Sequence, residues 1–341
     1  MRIALDATYS LGDQLSGVGI YSRELLFGLA KAHPETDFRF CYRPHRYFRS
    51  WADRLPRNAR RSLLAEPVGP RSAGLFHALN QRLPDLPLKR CVVTFHDLFV
   101  LSGEYSTPEF RARFAAQAKS AAARADAIIA VSEFTRSQVT GLLGVDPAKV
   151  HVVHHGVREL TLRPAARERI ILSVGAIQRR KNTARLVEAF EAVDTAWRLV
   201  LAGSGGFGAQ EILGRIESSN ARERIVVTGY LSPPDLADWY SRASVFAFPS
   251  LDEGFGMPVL EAMAAGIPVL TSNCSALPEV AGDAAAVVDP KSTAAIAAAL
   301  RRLTEDDKWR EGLTARGYAR AKLFTWEQAV RETWQIYQAL L

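Results

Sequence analysis

Short runs of apolar residues recur along the chain, each bounded by glycine, proline or polar clusters. Most are followed by stretches whose apolar positions fall three or four apart. This alternation predicts repeated strand–helix units. In the first half the pattern gives a strand over 3–5 and a glycine loop at Gly17-Val18-Gly19. An amphipathic helix over about 20–32 follows. Strands over 91–95, 127–131 and 150–154 come next, with a helix over 108–125 and Ser132 placed to cap another. Residues 158–167, with Pro164 and little periodicity, read as a linker. The pattern then restarts, with strands over 170–174, 198–202, 225–228, 245–248, 269–271 and 286–288. Helices over 183–193, 209–218, 234–241 and 258–265 lie between them, and helices fill the remainder.

Repeated units of this kind argue for parallel sheets covered on both faces. The expected architecture is α/β: two doubly wound Rossmann-like domains, 1–162 and 163–322, facing each other across a cleft. Ligands of such sheets bind beyond the strand carboxyl ends, so the cleft is the expected active site. In 323–341 Trp326, Val330, Trp334 and Tyr337 form a helical stripe. It reads as core packing, on a helix expected to cross back to the N-terminal domain.

Composition narrows the setting. The chain has 341 residues, 48% of them hydrophobic, enough for two cores. No stretch approaches the roughly 18–20 apolar residues of a membrane span, and the start reads as a strand rather than a signal peptide. Cys41, Cys91 and Cys274 stand far apart, which points to a reduced, cytoplasmic setting and to no structural metal. Charge is uneven: residues 1–165 carry 23 Lys and Arg against 15 Asp and Glu, and residues 166–341 carry 20 against 21. Much of the excess falls in 38–61, where arginines interleave with Tyr42, Tyr47, Phe48 and Trp51. This is either a solvated surface segment or an interfacial patch, for an anionic membrane at its inner face or for the pyrophosphate of an acceptor. No nucleic-acid motif accompanies it.

The segment richest in chemistry runs Glu253-Gly254-Phe255-Gly256-Met257-Pro258-Val259-Leu260-Glu261. An apolar strand feeds a glycine loop, and Pro258 suits the start of a helix, where free amides and the dipole attract anions. A carboxylate there would repel phosphate, so the two acids make more sense on hydroxyls, where paired oxygens can hold a diol. A ligand with both phosphate and diols, such as a nucleotide sugar, is implied. Arg180 and Lys181 follow another strand. With no D-x-D pair for a divalent cation, fixed cations and amides must meet charge on a departing phosphate. Gly203-Ser204-Gly205-Gly206-Phe207-Gly208 matches the dinucleotide fingerprint, but the next strand ends without the acid that would hold a ribose. His151, His154 and His155 do not suit zinc, because alternation turns the last two to opposite faces.

These residues carry a family resemblance. Glu253 to Glu261 with the following Ala262-Met263-Ala264-Ala265-Gly266-Ile267-Pro268-Val269 resembles the E-x7-E signature of retaining family-four glycosyltransferases, which have the GT-B fold. The segments 175–182, 17–25, 93–98 and 131–135 are similar to the same family, so the likeness spans nearly the whole chain. His155 departs from the family's usual Asn. The resemblance implies that Glu261 holds the donor ribose. It implies that Glu253 and the amides of 255–258 hold the donor sugar, and that Arg180 and Lys181 neutralise the diphosphate. It further places His96 near the transferred sugar, Gly17 and Gly19 near the phosphates, and Tyr230 and Leu231 at the base; the loop that starts at Gly203 reads from its own residues as another loop at the cleft. The implied function is metal-independent, cofactor-free transfer of a hexose from GDP-mannose or a UDP-hexose to a glycan or lipid-linked glycan. The rivals are an NAD-type oxidoreductase on the Gly203–Gly208 loop, a non-catalytic membrane-surface binding protein, and a phosphorylase on the same fold.

Overall fold

A computed structural model describes residues 1–65, 69–70, 72–158 and 160–341; Glu159, within the expected linker, lies outside them. The chain divides into two compact units, 1–156 with 325–341, and 157–324. The division falls at Gly156 and Phe324 rather than at 162 and 322.

In the first unit the strands are β1 (Arg2–Asp6), β2 (Asp37–Tyr42), β3 (Ala59–Leu63), β4 (Leu75–Ala78), β5 (Cys91–Phe95), β6 (Ala127–Ala130) and β7 (Val150–Val152). They form one parallel 7-stranded sheet in the order β3-β2-β1-β4-β5-β6-β7. The chain therefore builds outward from β1 in one direction, then returns to β4 and builds in the other. β1 and β4 flank the topological switch point.

β2 and β3 correct the reading of 38–61 as a single surface segment. Phe38, Phe40 and Tyr42 are buried in the core of the unit. Arg60 and Arg61 belong to β3, which forms the sheet edge, where charged residues are tolerated. What remains outside is a short helical turn with Phe48 at 84% and Trp51 at 65% exposure. The Arg61 guanidinium lies 4.9 Å from the Trp51 ring.

Gly17 and Gly19 also differ from expectation: they lie in the first turn of the helix Gly17–Ala32 rather than in a loop before it. Ser16 caps that helix by accepting from the Gly19 amide. A Cβ on Gly19 would sit 2.8 Å from the Tyr9 carbonyl oxygen, so close backbone approach explains the glycine. The C-terminal helix Trp326–Leu340 packs on Gly17–Ala32, where a Cβ on Gly28 would meet Val330 at 2.6 Å. Its stripe is core packing, as Val330 and Tyr337 are buried with Leu25, Leu26 and Leu29.

The second unit holds β8 (Glu168–Val174), β9 (Arg198–Ala202), β10 (Ile225–Gly229), β11 (Ala243–Phe248), β12 (Val269–Ser272) and β13 (Ala285–Val288). They form a parallel 6-stranded sheet in the order β10-β9-β8-β11-β12-β13. Here the switch point lies between β8 and β11. The helices Thr183–Phe190, Ala209–Glu217, Pro233–Arg242 and Met257–Ala264 fall between the strands. Arg167, in the stretch read as linker, binds the unit together. Its Nη1 donates to the carbonyls of Tyr240, Ser241 and Ala243, and its Nη2 to Ala265. No helix among the described residues is long and apolar enough to cross a membrane.

Candidate active site

Both segments with charged candidates leave the carboxyl ends of the two strands at the second unit's switch point. The loop after β8 carries Arg180 and Lys181, and the loop after β11 carries Glu253. This is where a doubly wound sheet leaves a crevice for a ligand. The sheet brings the three side chains into direct contact. Arg180 Nη1 lies 3.0 Å from Glu253 Oε2, and Lys181 Nζ lies 2.6 Å from Glu253 Oε1. Ser250 Oγ donates to the same Oε1 at 2.6 Å.

The network is buried and cross-braced. Arg180 Nη1 also donates to the Asp252 carbonyl, and its own carbonyl accepts from the Leu251 amide at 2.8 Å. Asn182, with φ at 59°, donates from Nδ2 to the carbonyls of Pro249 (3.0 Å) and Pro290 (2.7 Å), which ties three loops into one rim. The Lys181 ammonium lies 4.5 Å from the centre of the Phe248 ring. Burial pushes the Glu253 carboxyl up, but the charges of Arg180 and Lys181 and the bonds from Lys181 and Ser250 outweigh it and hold it down at about 2. Two cations against the Glu253 carboxylate leave these three side chains with a net positive charge, which suits an anion.

After Glu253 the backbone turns through Gly256, at φ 109°, where only glycine is unstrained. There it enters the helix Met257–Ala264 with Pro258 in its first turn. Glu261 lies on the buried side of that helix. Tyr240 Oη donates to Glu261 Oε2 at 3.0 Å. Burial pushes Glu261 above the usual carboxylate range, against the nearby Arg158 charge and the Tyr240 bond. Gly254 and Phe255 are buried between the acids, and Met257 and Pro258 are half-buried.

The second unit's remaining candidates lie on neighbouring loops. Gly203 follows β9, and a Cβ there would come within 2.0 Å of the Gly175 carbonyl oxygen, so the two loops touch through backbone alone. Gly203 bridges to Gly229, just before the exposed Tyr230 and the half-buried Leu231. The Gly203–Gly208 loop thus follows β9, one strand away from the switch point, unlike a dinucleotide fingerprint after the first strand of a fold.

In the first unit His96 follows β5. Its Nε2 donates to the Leu79 carbonyl at 2.9 Å, which leaves Nδ1 as the acceptor. Burial lowers its pKa to about 4. The Tyr21 ring meets it edge-on at 4.7 Å and stacks on His155 at 4.9 Å. Tyr21 Oη and His77 Nε2 both bond Thr94 Oγ1, and His77 Nδ1 bonds the Tyr337 hydroxyl. His155 is thus part of an aromatic stack, and no group of three metal-ligating side chains occurs among the described residues. Gly17 and Gly19 belong to the same unit.

Sequence reasoning missed Ser250, Tyr240 and Arg158. Ser250 stands three residues before Glu253, a spacing without a signature of its own. Tyr240 reaches Glu261 across 21 residues of chain, and nothing in its own surroundings announced it.

Comparison with known proteins decides the family. Residues 161–320 match the glycosyl transferases group 1 family and residues 15–159 match glycosyltransferase family 4. The chain is 30% identical to the O-antigen chain mannosyltransferase B of Escherichia coli, over 78% of this chain and 74% of that protein. The chain is a group 1 glycosyltransferase. Longer curated relatives of similar identity are matched over 57–58% of their own length. Among solved structures, the glycosyltransferase superposes on sucrose-phosphate synthase from Thermosynechococcus elongatus with a TM-score of 0.81 and 24% identity, over 100% of this chain and 99% of that one. Anabaena HepE in complex with UDP and glucose gives 0.74 at 15% identity, over 99% and 98%. These likenesses identify the fold of the glycosyltransferase as GT-B. The same residues that form the switch-point cluster fall inside the group 1 match.

Proposed function

We propose that this glycosyltransferase moves a hexose from a nucleotide-diphosphate sugar to a glycan or lipid-linked glycan, with retention and without a metal. The observation that carries the reading is the Arg180–Lys181–Glu253 cluster at the second unit's switch point. Its excess positive charge suits a diphosphate, and its carboxylate suits sugar hydroxyls. Glu261, oriented by Tyr240, suits a ribose diol. The HepE complex supports a nucleotide diphosphate as the donor's leaving group. The mannosyltransferase relative favours mannose as the sugar, and O-antigen assembly as the kind of process served.

In this reading the bond from the sugar's anomeric carbon to the diphosphate breaks, and a bond to the acceptor hydroxyl forms on the same face. The hydroxyl proton passes to the departing diphosphate, whose charge Arg180 and Lys181 meet. Glu253 is then a donor-positioning acid rather than a general base, since a carboxyl held near 2 is a poor proton acceptor at neutral pH. Arg180→Ala is expected to lower kcat by about 100-fold or more while circular dichroism stays unchanged. Unchanged turnover would refute the role.

A peripheral membrane contact is the second part of the proposal, carried by the exposed Phe48 and Trp51 beside basic residues. Co-sedimentation with phosphatidylglycerol vesicles should fall in the Phe48→Ser, Trp51→Ser double variant. Equal sedimentation would remove this part alone.

A further inference from the structure

The switch point of the first unit also gathers basic side chains near a buried carboxylate, but pairs them with it less closely than the second unit does. The loops that leave β1, β2 and β4 carry Asp6, Tyr9, Arg43 and Arg82 to one place. Asp6 is fully buried at the end of β1. Its Oδ1 accepts from the Thr8 amide (3.0 Å) and hydroxyl (2.5 Å), while its Oδ2 accepts no hydrogen bond. Arg43 Nη2 stands 3.7 Å from that oxygen, a loose pairing, and donates to the Arg82 carbonyl at 3.2 Å. Arg82 Nη1 donates only to the neutral Tyr9 hydroxyl, at 3.1 Å, and among the described residues no carboxylate lies at salt-bridge distance from it. Asn80 holds the Arg82 backbone in place by accepting from its amide at 2.8 Å.

Two guanidinium groups thus gather near one buried carboxylate, but only Arg43 pairs with it, and loosely. The half-buried Arg82 carries the charge left over. A forked donor beside a phenol, at the crevice where a parallel sheet takes its ligand, matches a tetrahedral oxyanion better than a neutral sugar. We infer that the first unit's switch point, through Arg82 and Arg43 with Tyr9, binds a phosphate group carried by the acceptor. The term acceptor rests on the transferase reading above; binding of phosphate at this place does not.

The test uses the full chain and two probes, glycerol 3-phosphate by titration calorimetry and phosphatidylglycerol vesicles by co-sedimentation. Arg82→Gln should weaken binding about tenfold or more, and Arg82→Lys should recover part of it because the charge persists without the fork. Arg180→Ala, in the other unit, should leave this loss unmatched. Weakening with glycerol 3-phosphate assigns the phosphate to a soluble acceptor; weakening confined to vesicles assigns it to a lipid headgroup. Unchanged affinity for both probes in Arg82→Gln, or a loss produced only by Arg180→Ala, would overturn the inference. Neither readout involves sugar transfer, so the site can fail while the transferase reading stands, or the reverse.

Discussion

The Lys181 ammonium lies 2.6 Å from Oε1 of Glu253, with both side chains largely withdrawn from solvent. Arg180 holds the other oxygen. A buried carboxylate gripped this way stays ionised only because of its partners, so removing one leaves a buried charge uncompensated.

Removing one partner should show it. Glu253 sits at about 2 when folded and near 4.5 otherwise, so it contributes stability above pH 4.5 that is lost as pH falls toward 2. A shift of that size corresponds to roughly 3 kcal/mol. Lys181→Met should shrink this acid-linked loss and move it to higher pH, since the carboxyl would protonate more readily. Urea denaturation of both proteins between pH 2 and 6 checks it; parallel curves would contradict the pairing.

Glu261 predicts the opposite sign. Burial raises its pKa, so its contribution to stability is present at low pH and falls away as pH rises through the carboxylate range. Glu261→Gln removes the buried charge and keeps an oxygen that can accept from Tyr240. The variant should melt at the same or higher temperature at pH 7, yet show a KM for the nucleotide sugar raised about tenfold or more. A large fall in melting temperature would show that the ionised acid is structural.

Three histidines of the first unit are held neutral by burial: His77 at about 3, His96 at about 4, and His155 well below its ordinary value. A histidine lowered in this way takes a proton more readily when unfolded. Its contribution is present above about pH 6.5 and lost below it, at about 1.4 kcal/mol per pH unit for each. Stability should therefore fall steeply between pH 6.5 and 4, and His77→Asn should flatten the slope. The pH–rate profile should show no His96 ionisation between pH 6 and 8. A slope the same in His77→Asn would contradict the assignment.

The second unit was readable because β8, β9, β11 and β12 are apolar runs covered on both faces, such as Ile170-Ile171-Leu172 and Val245-Phe246-Ala247-Phe248. β2, β3 and β4 were not. In β2 Arg39 interrupts Phe38, Phe40 and Tyr42; β3 is an edge strand with two arginines; and β4 has four residues. Their polar positions imitate a surface segment until the sheet order shows which side each faces. At the site, the acids and the basic pair stood out through their glycine and strand context. Tyr240 and Ser250 did not, since an orienting hydroxyl has no signature of its own. Arg167 was hidden for a related reason: its bonds reach carbonyls 73 to 98 residues away.

The central claim is a metal-free transfer with retention at the Arg180–Lys181–Glu253 cluster. Its most direct test is proton NMR of the product formed from GDP-mannose or a UDP-hexose by the purified chain in excess EDTA. An α-configured donor should give an α-linked product, or an α-hexose if water is the acceptor, at an undiminished rate. A β product, or activity that EDTA abolishes and a divalent cation restores, would contradict it.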